Sequence, residues 1–172
     1  SIKSKINILD ALIWVNNNLW IQLSDEIINN KLAKDRDIKL TLNILLTNKR
    51  YDYLNQLINQ LRIAKTPDYY SYEMAMHYSI NMSINNSINE FLLHLEYNPK
   101  KYTMIKNRIL SYPGLANNQI KLILLEHNSF LAKLILADIE FRENNLSESY
   151  KLLKDYSKDE NNLIDFSEDL IQ

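Results

Sequence analysis

The chain has 172 residues, 46% of them hydrophobic and 24% charged, with 20 Lys+Arg against 21 Asp+Glu. This composition is globular, and the length suits one compact domain or one short solenoid. A single glycine, Gly114, excludes a glycine-rich phosphate loop, a dinucleotide fingerprint and a nucleophile elbow. The lack of cysteine excludes disulfides, thiolate metal sites and a cysteine nucleophile.

The near-balanced charge argues against a general nucleic-acid binder. No run approaches the roughly 18 apolar residues that span a bilayer, and no secretory pattern opens the chain. Leucine occurs 28 times, isoleucine 22 times and asparagine 23 times, against one valine and seven alanines. That bias reads as the codon drift of an AT-rich genome. It puts Ser or Leu at helix-packing positions where Ala would otherwise stand.

In chain order, the apolar residues recur every three to four positions, which is helical spacing. Ile6, Leu9 and Ile13 share one side of the first segment, with Trp14 alongside. Asn16-Asn17-Asn18 breaks it. Later breaks fall at Thr47-Asn48-Lys49-Arg50, near Ser83-Ile84-Asn85-Asn86, at Tyr112-Pro113-Gly114 and at Glu143-Asn144-Asn145. Phe130, Leu134, Ala137 and Phe141 form a late apolar stripe, followed by Leu152, Leu153 and Tyr156. Glycine and proline are too scarce for a turn-rich β protein. The spacing predicts an all-α chain of about ten helices in five hairpins, a period that signals a helical solenoid.

The chain resembles a tetratricopeptide-repeat protein, whose unit is about 34 residues long. Residues 68–101 carry the resemblance best. Small Ala75 and Ser87 stand where the two helices of a hairpin cross, large Tyr78 and Phe91 stand beside them, and Pro99 closes the unit. Residues 130–163 repeat the pattern with Ala137, Ser149 and Leu153. At the start, Ala11, Trp14, Leu23 and Ile27 take the corresponding places. Residues 35–67 put Leu42 and Leu54 where small residues belong, and residues 100–128 fit no register. Leu23, Leu54 and Ser87 follow one another at nearly equal steps, and the step on to Ser149 is about double, which leaves room for one degenerate hairpin.

The resemblance implies an α-α superhelix, a single domain over 1–172. Its hairpins span about 5–31, 35–66, 68–99, 100–128 and 129–157, with an acidic cap over 158–172. A narrower similarity joins Tyr112-Pro113-Gly114-Leu115-Ala116 and the Phe130–Asp138 stretch to the helical-repeat region of HemY-type proteins of heme metabolism. Those proteins carry a membrane anchor that is not among these residues. Ser1 fits either a processed initiator methionine or a fragment of a longer protein. The compartment divides the same way, cytoplasmic for the first and membrane-anchored for the second.

Nothing in the sequence assembles a catalytic, cofactor or metal site. His77 lies four residues after Glu73, the spacing of a surface helix pair. His94 falls at a packing seam. His127 falls at a helix C-terminus, where a cation suits the dipole. The functional expectation is a non-catalytic scaffold that holds a peptide or protein segment in the concave groove. The resemblance assigns that groove to the first helix of each hairpin. Tyr69, Tyr72 and Met76 are its anchors, with Arg36, Lys39 and Asn43 as polar contacts from the preceding repeat. Aromatic and methionine side chains make good anchors.

Lys39 and Asn43 resemble half of a carboxylate clamp, but Glu73 stands where its completing asparagine belongs. Arg36 and Lys39 then form a mild basic patch. Two further readings are a subunit packed into a larger assembly and a helical-repeat RNA binder, which would need Lys and Arg repeated along that helix face. Residues 101–142 carry six basic and three acidic residues, and residues 143–172 carry three and eight. The acidic end suits a solvated terminal helix.

Overall fold

The computed structural model describes residues 1–127 and 129–154. The acidic segment read as a cap, 158–172, and the end of the last hairpin lie outside them. The described residues form ten α-helices and no strand, in agreement with an all-α chain. None of these helices is long and apolar enough to cross a membrane.

The described residues divide into two compact units, one over 1–70 and one from 71 onward. The first contains α1 (Ile2–Trp14), α2 (Leu19–Ile28), α3 (Asp35–Thr47) and α4 (Tyr51–Ala64). The second contains α5 (Ser71–Ile80), α6 (Ile84–Tyr97), α7 (Tyr102–Leu110), α8 (Asn117–His127), α9 (Phe130–Arg142) and α10 (Leu146–Lys154). Short 3-10 turns precede α7 at Pro99–Lys101 and α8 at Gly114–Ala116.

In the first unit, α1 packs on α2 and α3, and α3 packs on α4. Ile6, Leu9 and Ile13 face inward on α1, as their spacing predicts. The register expected for this hairpin needs correction. Ala11 is exposed and Trp14 is 84% exposed, while Leu9 and Ile27 are fully buried. The turn explains the shift. Asn16 and Lys49 are the left-handed residues of the first two hairpin turns. Counting back equally from each makes Leu9 the counterpart of buried Leu42. On α4, Tyr53 stacks edge-on against Trp20 at 5.1 Å, and its hydroxyl donates to Asp25 at 2.6 Å. Burial, together with that carboxylate, pushes the Tyr53 hydroxyl pKa above its ordinary value.

In the second unit, Ile88, Phe91, Leu92 and Leu95 of α6 form the centre of a core shared with Ile105, Ile109, Ile120, Ile135 and Ile139. The crossing of α5 and α6 is close. Ala75 and Ser87 are both fully buried, and the Ser87 hydroxyl donates to the Ala75 carbonyl at 2.8 Å. That hydroxyl also accepts from Tyr112 at 2.7 Å. The same arrangement recurs two hairpins later, where the Ser149 hydroxyl donates to the Ala137 carbonyl at 2.9 Å. A small residue lets the backbones approach, and the hydroxyl satisfies its own buried polarity at the contact.

Ion pairs hold the later helices together. Lys106 of α7 pairs with Asp138 of α9 at 3.0 Å, and Lys121 of α8 pairs with Glu140 at 2.7 Å and with Glu143. Burial alone would lower the Lys121 pKa, but hydrogen bonds to Glu140 and Glu143 hold it above the ordinary lysine value.

Four hairpins turn through the same local geometry. Asn16, Lys49, Met82 and Asn144 have positive φ. In each turn the left-handed residue's N–H bonds the carbonyl three back, and the next N–H bonds the carbonyl five back, as in Met82 to Ser79 and Ser83 to Tyr78. This double closure is the Schellman motif, which normally takes glycine at the left-handed position. Asn16, Lys49 and Met82 follow one another at equal intervals along the chain, and Asn144 comes after nearly twice that interval. The third turn therefore falls at Asn81-Met82-Ser83, just before the break read from sequence, and Ile84 already opens α6. Between α7 and α8 the chain turns through Pro113 and a 3-10 turn instead.

Two outcomes follow. Ala75→Leu forces a larger side chain into the close crossing and should cost about 1–3 kcal/mol in a denaturant titration. Met82 is exposed and left-handed, so Met82→Gly should raise stability by about 1 kcal/mol through relief of the Cβ clash. A drop in stability would mean that the turn is not held in this conformation. Asn144→Gly should gain less, because asparagine already tolerates that region.

Candidate functional site

Helix α5 buries Ser71, Met74 and Ala75. One turn apart on another side stand Tyr72 and Met76, both half-buried. Helix α7 buries Ile105 and Ile109, which places Met104, Arg108 and Ser111 together on its outer side by their spacing of four and three. Tyr72, Met76, Met104, Asn107, Arg108 and Ser111 line an open groove of about 430 Å³ between the two helices, floored by Ile105. The groove lies wholly within the second unit.

The walls differ in stiffness. The Tyr72 ring lies 6.1 Å from Phe91 and 5.6 Å from His94, centroid to centroid, which fixes its orientation. Met76 and Met104 are unbranched and polarisable, and can reshape around a ligand side chain. Ser111 donates its hydroxyl to the Arg108 carbonyl at 2.7 Å. The Arg108 guanidinium sits at the exposed rim, and no ion pair engages it among the described residues. The result is an apolar trough with one rigid aromatic wall, two adaptable thioethers and a cation at the edge.

The six residues expected to form one groove are placed in different settings. Tyr72 and Met76 come together on the α5–α7 groove. Tyr69 is not on an open wall. It is 7% exposed, its hydroxyl donates to Asp35 at 2.8 Å, and the Lys65 and Lys39 ammoniums lie 4.8 Å and 5.8 Å from its ring centre. Lys39 thus belongs to the packing around Tyr69, where cation–π attraction favours it. Asn43 accepts a hydrogen bond from Tyr70, whose ring is buried and whose backbone is left-handed. Arg36 is exposed and lines a second groove, between α1 and α3 of the first unit.

Sequence reasoning missed the α7 side of the first groove. Residues 100–128 match no repeat register, so no position there could be assigned a groove-facing role. The recurrence of Met104, Arg108 and Ser111 opposite Ile105 and Ile109 was the available signal.

The histidines serve local contacts. His77 and Asn81 approach to 3.4 Å, His94 stacks near Tyr72, and His127 lies 3.4 Å from Glu96. Among the described residues, no group of three or more His, Asp or Glu side chains is placed to hold a metal ion. No family model matches the chain, and neither a curated protein nor a solved structure is significantly similar to it.

Asp35 is the electrostatic centre of the Tyr69 cluster. Burial alone would raise its carboxyl pKa, but hydrogen bonds from Lys65 and Tyr69, with the charges of Lys65 and Lys39, hold it below the ordinary value of 3.8. A depressed carboxyl pKa stabilises the fold above the unfolded-state value, and that stability is lost as pH falls through the lower folded-state value. The thermal midpoint should therefore fall below pH 3.8, and Asp35→Asn should make that acid limb shallower. An unchanged limb would show that the cluster is not formed in solution.

Proposed function

We propose that the chain is a non-catalytic scaffold of tetratricopeptide type that binds a peptide or protein segment through the first helices of its hairpins. The observation that carries this reading is the α5–α7 groove. It is an open, largely apolar trough of about 430 Å³ between the first helices of two successive hairpins. Its contents suit recognition rather than catalysis. A trough open to water offers no enclosed site for charge stabilisation, whereas a fixed tyrosine beside two methionines offers anchor points for an apolar ligand side chain.

The repeat assignment draws support from two recurring features in one register. One is the left-handed turn, which recurs at two equal intervals and then at nearly double that interval. The other is the serine-to-carbonyl crossing, repeated two hairpins later. A superhelical arrangement of the hairpins is part of the same proposal.

A subunit role in a larger assembly is the second reading. It is favoured by Leu115, Leu122 and Leu125, which stand more than half exposed on and just before α8. The RNA-binding reading is weaker. In the second unit Lys106 and Lys121 are paired with acidic side chains within the fold, so these two cations are not left to meet a phosphate backbone.

The test uses peptides selected against the whole chain from a random displayed library. The selected peptides should lose affinity by about 2 kcal/mol or more with Met76→Glu, since a central anchor is replaced by a charge. Arg108→Ala should cost less and lower the salt dependence, as a rim charge does. The melting of both variants is checked first. Selected peptides that bind both variants as tightly as the parent would move the interface away from this groove.

A further inference from the structure

The groove of the first unit has a chemistry of its own. It lies between the first turns of α1 and α3 and has a volume of about 410 Å³. Its floor is apolar, built from Ile2, Ile6 and Leu40, and its rim carries Lys3, Lys34 and Arg36. All three cations are exposed, and none is engaged in an ion pair among the described residues. The one carboxylate on the lining, Asp37, accepts the Lys34 backbone N–H at 3.0 Å and so caps α3. The lining thus holds three cations against one acid, a net positive charge. Two helices begin beside it, and their N-terminal ends add positive potential of the same sign.

We propose that this α1–α3 groove binds an acidic peptide segment that carries apolar side chains, supplied by a partner protein. The charge selects for carboxylates, and the floor selects against ligands without apolar groups. A nucleic-acid backbone would satisfy the cations but leave Ile6 and Leu40 wet. A membrane surface cannot enter a concave trough to reach them. An extended acidic segment with intervening leucines meets both demands, with its carboxylates on the rim and its apolar groups on the floor. This deepens the peptide-binding reading, since Arg36 was expected to contribute to partner binding. The two grooves use different residues, and so they fail separately.

The probe is a short fluorescein-labelled peptide with leucine at every third position among glutamates. Its counterpart has glutamine in place of every glutamate. Anisotropy of the acidic peptide titrated with the full chain should show saturable binding that weakens as salt is raised. The Lys34→Gln/Arg36→Gln variant, melting like the parent, should bind about tenfold or more weakly, and the glutamine peptide should bind no better than that variant does. Met76→Glu should leave this titration unchanged, which separates failure here from failure of the α5–α7 groove. Equal affinity for the acidic and glutamine peptides would overturn the proposal, as would an unaffected double variant. Saturable binding of poly-uridine RNA or of phosphatidylserine vesicles, with none of the peptide, would overturn it in favour of those ligands.

Discussion

The second unit is organised around one buried hydroxyl. Ser87 donates to the Ala75 carbonyl and accepts from Tyr112, so three segments meet at one oxygen. The contact needs a side chain small enough for α5 and α6 to approach and polar enough to receive the tyrosine. Alanine at Ser87 would permit the approach but leave the Tyr112 hydroxyl buried without an acceptor, a loss of about 1–3 kcal/mol. A larger apolar residue would part the helices. Tyr112 follows α7, so the same bond ties the fourth hairpin to the third. With α5 and α7 both fixed to α6, the space between their outer sides is a standing feature of the fold rather than a gap that opens on demand.

The second constraint is the shortage of glycine. The described residues make five hairpin turns with a single glycine, and four of those turns put side-chain-bearing residues in left-handed conformations. The chain uses asparagine twice, at Asn16 and Asn144, where the penalty is modest, and lysine and methionine at Lys49 and Met82, where it is larger. The Schellman hydrogen bonds and the packing of the flanking helices hold these turns against that cost. The one glycine sits instead at Gly114, in a turn where no neighbour approaches the place its Cβ would occupy.

The helices were legible in the sequence because apolar spacing is a local signal. Ile6, Leu9 and Ile13 could be assigned to one face without knowledge of what they pack against. The Ala75–Ser87 crossing was legible for a related reason, since few residue pairs fit so close a contact. The first hairpin misled because Ala11 satisfied the small-residue pattern while Leu9, its true counterpart, did not. In the first unit Leu42 and Leu54, which stand where the repeat pattern asks for small residues, are both fully buried. Tyr69 misled differently. Its sequence position suited a groove wall, but the aspartate and lysines that draw it inward, Asp35, Lys39 and Lys65, include partners far away in the chain. Long-range pairs of this kind, like Lys106 with Asp138, leave no periodic trace.

The four methionines report on peptide binding in the α5–α7 groove because they stand in different settings. Met76 and Met104 line the α5–α7 groove, Met74 is buried in the core, and Met82 is exposed at a turn. With the methionine methyl groups carbon-13 labelled, titration with a peptide selected against the chain can be followed by NMR at all four sites. The Met76 and Met104 methyl resonances should move together and saturate while those of Met74 and Met82 hold still. Saturating shifts at Met82 with none at Met76 and Met104 would contradict binding in that groove.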